Sequence, residues 1–161
     1  MYKVGDRVVY PMHGVGTIES VEKKSVLGHK DEYYIIRLVN NDMKVMIPVK
    51  NGDSVGIRHV IAKTQVKKII DLLKNAASGA IEEDWKLRYE LNVNKVKSGN
   101  LVEVAEVARD LYRRGRDREL STMERKLYES AYNLIIYELA MSRDVNIEEA
   151  GNIVSEALSA V

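Results

Sequence analysis

The chain has 161 residues, 45% of them hydrophobic and 30% charged, so it can form one ordinary domain or two small ones, and its net charge of +1 excludes a generally basic protein. It contains no cysteine, which excludes disulfides, thiol catalysis and cysteine-bound zinc, and no apolar run approaches the roughly 18 residues of a membrane span. The N-terminus has no basic stretch followed by an apolar one, so we expect a cytoplasmic protein without a secretory signal.

The first third of the chain has the pattern of short β-strands. Its apolar residues either alternate with polar ones or form β-branched and aromatic runs. Residues 13–16 predict a glycine-containing turn, and residues 40–42 predict a hairpin turn. The predicted strands are residues 7–10, 17–22, 33–39, 43–48 and 57–61. We therefore predict that residues 1–62 form a small, strongly bent β-sheet of the SH3-like or Tudor-like kind.

The rest of the chain has helical periodicity. Val66, Ile69, Ile70 and Leu73 follow the spacing of an amphipathic helix, and the pattern then breaks, so residues 63–80 are predicted to be a helix and a hinge. The further predicted helices are residues 84–97, a helix from Asn100 to about Gly115, one that starts at the capping-box pattern Ser121–Glu124, and one that starts at Asn146. Residues 81–161 are thus expected to form an all-helical bundle, and the fold class is α+β.

The residue content argues against catalysis. None of the three histidines (His13, His29 and His59) has another histidine or a carboxylate at metal-ligand spacing. The acidic residues 82–84 and 148–149 fit the first turns of helices, where carboxylates interact favourably with free N–H groups. We therefore predict a protein that is not an enzyme and that has no metal, no cofactor and no small-molecule substrate.

The single tryptophan, Trp85, begins a predicted helix, with Lys86 and Arg88 beside it. One interpretation is a core stripe, in which Trp85, Tyr89 and Val93 share a helix face. The other is a minor-groove wedge, because a large aromatic ring can stack on a base while neighbouring cations hold phosphates. The residues alone leave both interpretations open.

Four arginines, Arg113, Arg114, Arg116 and Arg118, lie together at the end of the third predicted helix. They stand out because residues 76–161 carry 12 basic against 16 acidic side chains. They form either a solvated helix end, where cations interact favourably with the helix dipole, or a corner that contacts DNA phosphates. A basic patch on an acidic domain indicates a limited, oriented contact with DNA.

The ordered set of motifs resembles the CarD/CdnL-like family of bacterial transcription regulators. The opening run Val4-Gly5-Asp6-x-Val8-Val9-Tyr10-Pro11-x-His13-Gly14 is similar to the family's N-terminal signature, which the polymerase-interacting domain of the transcription-repair coupling factor shares in looser form. The later matching segments are residues 32–34 and 46–49, Trp85-x-x-Arg88-Tyr89, Ser98-Gly99, residues 104–114, Leu120-Ser121 and Glu138-Leu139-Ala140. Together they cover nearly the whole chain in the family's order.

The resemblance implies that the β-domain binds the β subunit of RNA polymerase, largely by pairing at a sheet edge. It also implies that Trp85 enters the minor groove of promoter DNA at the upstream edge of the transcription bubble and stabilises the open complex. The implied polymerase-binding residues are Lys24, Met43, Lys44, Val45, Met46 and Ile47. The implied DNA-binding residues are Trp85, Lys86, Arg88, Tyr89, Arg113, Arg114 and Arg116. We then expect a protein held at the nucleoid through polymerase, with no membrane partner.

Two positions depart from the family's pattern. Met46 stands where some members have an arginine, which would weaken the polymerase contact, and Glu90 stands where some have a basic residue, which would weaken the DNA contact. Lys44, two residues from Met46 on the same face of a strand, would compensate for the first. The alternative function for the same fold is a polymerase-docking adaptor that binds protein instead of DNA, and a buried Trp85 would favour it.

Overall fold

The structure is a computed structural model that describes residues 1–39, 41–51, 56–75 and 82–160. The chain divides into two compact units, Met1–Val60 and Ile61–Val161, and each has its own hydrophobic core. The first unit is an antiparallel β-sheet and the second is helical, so the predicted α+β class is confirmed.

The first unit is a five-stranded sheet with the strand order β4-β3-β2-β1-β5. Its strands are β1 (Arg7–Tyr10), β2 (Gly14–Val26), β3 (His29–Leu38), β4 (Lys44–Pro48) and β5 (Arg58–His59), with a 3-10 turn at Val49–Asn51. A bulge between Ile18 and Ser20 interrupts the pairing of β2 with β3. A bulge bends its strand and increases the twist, which suits a small, strongly curved sheet. Val8, Ile18, Tyr34 and Ile36 lie in its core.

The first turn lies earlier than the sequence predicted. Residues Pro11–His13 make the turn, with Met12 at a φ of 69°, and Gly14 already begins β2. Gly16 is required inside the sheet, because a Cβ there would lie 2.6 Å from the carbonyl oxygen of Arg37 on β3. The predicted hairpin between β3 and β4 is confirmed, although Asn40 of its turn lies outside the described residues.

The second unit contains α1 (Lys63–Lys74), α2 (Trp85–Lys97), α3 (Leu101–Asp117), α4 (Thr122–Arg143) and α5 (Ile147–Ser159). Helices α3 and α4 pack on each other, α1 packs against α3 and α5, and α2 packs mainly against α3. Polar side chains just before α2, α3, α4 and α5 explain where these helices start, since each accepts a hydrogen bond from a free backbone N–H group. These N-caps are Asp84 for α2, Asn100 for α3, Ser121 for α4 and Asn146 for α5.

Helix α1 belongs to the helical unit, which begins at Ile61. Its stripe of Val66, Ile69 and Leu73 is buried in the core of that unit. The chain just before α1 is held by α4, because the carboxylate of Glu138 accepts from the Ile61 N–H group at 2.9 Å. The predicted hinge falls mostly on residues 76–81, which lie outside the described residues. In the described part of the chain, no helix has the length and apolar character that crossing a membrane requires.

Candidate functional site

Trp85 is the first residue of α2 and is 53% exposed to solvent. The Nζ atom of Lys86 lies 5.8 Å from the centroid of the indole ring, within the range of a cation–π interaction. Tyr89 and Val93, which share the helix face with Trp85, are half-buried. The core-stripe interpretation is therefore wrong for Trp85, because an anchor of the core would be withdrawn from water.

Arg88, one turn further along α2, is only 4% exposed. Its Nε atom donates to Oε1 of Glu124 at 2.6 Å, and its Nη1 atom donates to the backbone carbonyl oxygens of Glu82 and Glu83 at 3.1 and 3.2 Å. A phosphate would have to break this buried ion pair to reach the guanidinium. The structure therefore contradicts the prediction that Arg88 contacts DNA directly.

Glu124 is the residue that sequence reasoning missed. It lies in the first turn of α4, where its backbone N–H donates to the Oγ atom of Ser121, as the capping-box pattern predicts. Its carboxylate does not serve the cap but binds Arg88, and its Oε2 atom lies 3.9 Å from Nε of Arg114 on α3. No local signal could have revealed this, because Arg88 and Glu124 are 36 residues apart.

Through Glu124 the first turns of α2 and α4 meet the last turn of α3, and we call this region the tryptophan end of the helical unit. The arginines of α3 are not equivalent there. Arg114 is half-buried beside Glu124, whereas Arg116 is exposed, with its guanidinium carbon 5.4 Å from the ring centroid of Tyr112.

Arg113 points inward, contrary to the predicted phosphate contact. Its Nη2 atom donates to the carbonyl oxygen of Leu73 at 3.4 Å, while Nε and Nη1 are buried without a hydrogen-bond partner among the described residues. Burial, together with the neighbouring charge of Arg109, lowers the pKa of Arg113. Of the predicted DNA-binding cations, Lys86 and Arg116 are therefore exposed to solvent at the tryptophan end, and Arg114 is exposed in part.

In the first unit, β4 lies at the edge of the sheet and pairs on one side with β3. The Leu38 N–H donates to the Met43 carbonyl at 2.8 Å, so the hydrogen-bonded pairs continue every second residue, at Val45 and Ile47. The N–H and C=O groups of Lys44 and Met46 therefore point away from the sheet. This edge has the geometry that an added strand needs.

The side chains of β4 alternate between an exposed face and a face that packs on the core of the sheet. Met46 is exposed on one face, whereas Ile47 is 3% exposed and packs in the core. Since the backbone of Ile47 also faces β3, the structure contradicts its predicted polymerase contact. Val45 is half-buried, and its backbone likewise faces β3.

Lys44 shares the exposed face of β4 with Met46 but is already engaged in an ion pair. Its Nζ atom lies 3.2 Å from Oε2 of Glu19, and Nη2 of Arg37 lies 2.9 Å from Oε1 of the same carboxylate. Hydrogen bonds from Arg37 and Lys44 lower the pKa of Glu19. Lys24 is exposed on β2, where it pairs in register with Asp31, so the structure does not bring it to the edge of β4.

Among the residues with described positions, no group of three or more histidine, aspartate or glutamate side chains could hold a metal ion.

Two family models match the chain in succession. Residues 2–61 match the one described as “CarD-like/TRCF RID domain”, and residues 68–155 match the one described as “CarD, C-terminal domain”. The chain is also 39% identical over 145 residues to “Putative transcription factor YdeB” of Bacillus subtilis (strain 168). The matched region covers 90% of this chain and 94% of that protein.

Two solved structures are each similar to less than half of this chain. The solution NMR structure of the 72-residue N-terminal domain of Myxococcus xanthus CarD is 34% identical and covers 37% of this chain and 79% of that chain, with a TM-score of 0.33. The structure of CdnLNt from the same organism is 38% identical and covers 39% of this chain and 89% of that chain, with a TM-score of 0.34.

Proposed function

Because the chain belongs to the CarD family, we propose that it binds the β subunit of RNA polymerase and stabilises the open promoter complex by placing Trp85 at the upstream edge of the bubble. The family is one of transcription factors with an RNA-polymerase-interacting domain, and it is not an enzyme family. A regulator of this kind would work in the bacterial cytoplasm, at the nucleoid.

The exposure of Trp85 is the observation that carries the DNA half of the proposal. A tryptophan on a helix that packs against a core is seldom half-exposed, because burying the large apolar surface of its side chain stabilises the fold. Beside Lys86, the exposed ring combines a stacking surface with a cation that can hold a phosphate.

The size of the effect follows from the chemistry of stacking. An aromatic side chain that stacks on a base contributes about 1–3 kcal/mol. Because about 1.4 kcal/mol corresponds to a factor of ten, the wedge would slow the collapse of the bubble by roughly 5- to 150-fold. The cations at the tryptophan end would add binding that depends on salt and not on sequence.

The edge of β4 supports the polymerase half of the proposal. The outward N–H and C=O groups of Lys44 and Met46 can extend the sheet by one strand of the partner. The side chains that accompany such pairing are Met43 and Met46, both exposed, and Lys44. Ile47 does not take part in this pairing, and Lys24, on β2, lies away from the edge of β4.

The test is the lifetime of open complexes on one promoter with wild-type protein and with Trp85→Ala. We expect Trp85→Ala to remove most of the gain in lifetime while its binding to polymerase stays unchanged. Leu91→Ala is the matched control, because Leu91 is an apolar side chain of the same helix with a similar exposure of 48%. If Trp85→Ala prolongs the lifetime as much as the wild type does, the wedge is wrong and the adaptor function, in which the helical unit binds protein, takes its place.

A further inference from the structure

The first turn of α2 has few anchors. The fully buried side chains of this helix are Arg88 and Val96, and Val96 lies about three turns beyond Trp85. The ring of Trp85 itself contacts the exposed Lys86 and is not enclosed by the core. Arg88 is therefore the residue that decides how the start of α2 sits on the helical unit.

Arg88 uses the two sides of its guanidinium for two different segments. On one side Nε binds the carboxylate of Glu124, whose own backbone N–H donates to the Ser121 cap of α4. On the other side Nη1 binds the carbonyl oxygens of Glu82 and Glu83, which lie just before α2. One planar group thus ties the chain that leads into α2 to the first turn of α4.

We infer that the Arg88–Glu124 pair is a positioning device that fixes the direction in which Trp85 leaves the helical unit, an inference that rests on the proposed wedge function. Arg88 lies one turn after Trp85, and the residues it grips lie two and three positions before Trp85. The tryptophan is therefore held from both sides along the chain while its ring stays exposed. A wedge works only if its ring is oriented before it meets the DNA, since orienting it at that moment would cost entropy.

The chemistry explains why the device needs an arginine. The guanidinium presents several N–H donors in a rigid fork, so it can bridge a carboxylate and two carbonyls at once. A lysine carries the same charge as a point on a flexible stem and cannot hold this geometry. Arg88→Lys therefore keeps the charge beside Glu124 and removes the bridge.

Trp85 provides its own spectroscopic probe, because it is the only tryptophan of the chain. In full-length Arg88→Lys we expect a lower fluorescence anisotropy of Trp85 and a higher acrylamide quenching constant than in the wild type. The gain in open-complex lifetime should fall as it does in Trp85→Ala. Arg109→Lys is the matched control, because Arg109 is another buried arginine of the unit, paired with Asp110 on its own helix, and it should leave the fluorescence unchanged.

A second variant guards against a loss of folding. The double substitution Arg88→Met with Glu124→Leu replaces the buried pair by apolar side chains, a change that often leaves stability unaltered or raised. It should melt like the wild type and yet show the same mobile tryptophan.

The outcomes separate this inference from the proposed function. Wild-type anisotropy and quenching in a folded Arg88→Lys or double-variant protein would overturn the positioning role. The positioning role would also be overturned if a variant with a mobile Trp85 still prolonged the lifetime of the open complex while Trp85→Ala did not prolong it. If Trp85→Ala itself has no effect on the lifetime, the wedge function fails, whereas the fluorescence still decides whether Arg88 positions the ring.

Discussion

The free edge of β4 gives the sharpest prediction, because proline substitutions at two neighbouring positions should affect different properties, one the binding of polymerase and the other the stability of the sheet. The Met46 N–H points away from the sheet, so Met46→Pro removes a donor that only a partner strand would use. The Val45 N–H points to Ile36 of β3, so Val45→Pro removes a bond of the sheet itself. An edge strand tolerates proline where its N–H faces outward and not where it faces inward.

The magnitude follows from a single hydrogen bond at the interface. Without the Met46 N–H, one carbonyl of the partner strand is buried and unsatisfied, which costs about 1–3 kcal/mol. This corresponds to a loss of affinity of roughly 5- to 150-fold. The free energy of unfolding of the β unit should change little, because the ladder between β3 and β4 stays complete. Val45→Pro should destabilise that unit by a similar amount or more, even without polymerase.

The assay compares the affinity of each variant for the isolated polymerase β subunit with its thermal unfolding. Met46→Ala is the control, because it changes the same side chain but keeps the backbone donor. We expect Met46→Ala to lose only the contacts of the side chain and Met46→Pro to bind far more weakly than Met46→Ala. Equal binding by these two variants would refute pairing along this edge and would point to a contact made by side chains elsewhere on the unit.

Two further predictions concern the helical unit. Arg116→Gln should reduce the steepness of the plot of log affinity for the promoter complex against log salt concentration by about 0.9, the value for one phosphate contact. Arg113→Gln should leave that slope unchanged, because the guanidinium of Arg113 faces inward. Equal slopes for the two variants would contradict this assignment. Burial raises the pKa of Tyr128 to about 12 from its ordinary value of 10.0, so the unfolded chain releases this proton first and the stability falls as the pH rises from about 10 to 12. Tyr128→Phe should weaken that loss in thermal unfolding measured across the same pH range, and an unchanged pH dependence would show that Tyr128 is not its source.

Much of the fold was predictable because local pattern and local chemistry agree. The alternation of the first third reflects strands with one packed face, and the apolar stripe of Val66, Ile69 and Leu73 is the buried face of α1. Ser121 and Asn146 accept from backbone N–H groups three residues later, so the starts of α4 and α5 follow from a few neighbouring residues. The lengths of β2 and β3 were underestimated, because their outer halves carry charged residues that gain their strand conformation from pairing with each other.

The candidate site was predictable only in part. The sequence identified Trp85 as exceptional and the family resemblance gave it a role, and the structure adds that the ring is exposed. The sequence could not distinguish the roles of the arginines, since Arg88, Arg113 and Arg116 are the same residue type in similarly charged sequence surroundings. Their roles depend on which carboxylates and carbonyls the packed helices bring within reach.

The sequence by itself determined the two kinds of unit, the starts of the helices and the family, because these depend on periodicity, caps and ordered motifs that lie within a few residues of each other. The tertiary structure alone decided that Glu124 binds Arg88, that Arg113 turns inward and that Lys44 and Met46 carry the outward backbone groups of β4. These facts depend on residues that are far apart in the chain and on the register between strands. Whether a charged side chain stays exposed or becomes a buried anchor depends on the partner that packing brings to it. The balance between the cost of desolvating the charge and the gain from pairing it decides the outcome, and that balance depends on residues that are distant in the sequence.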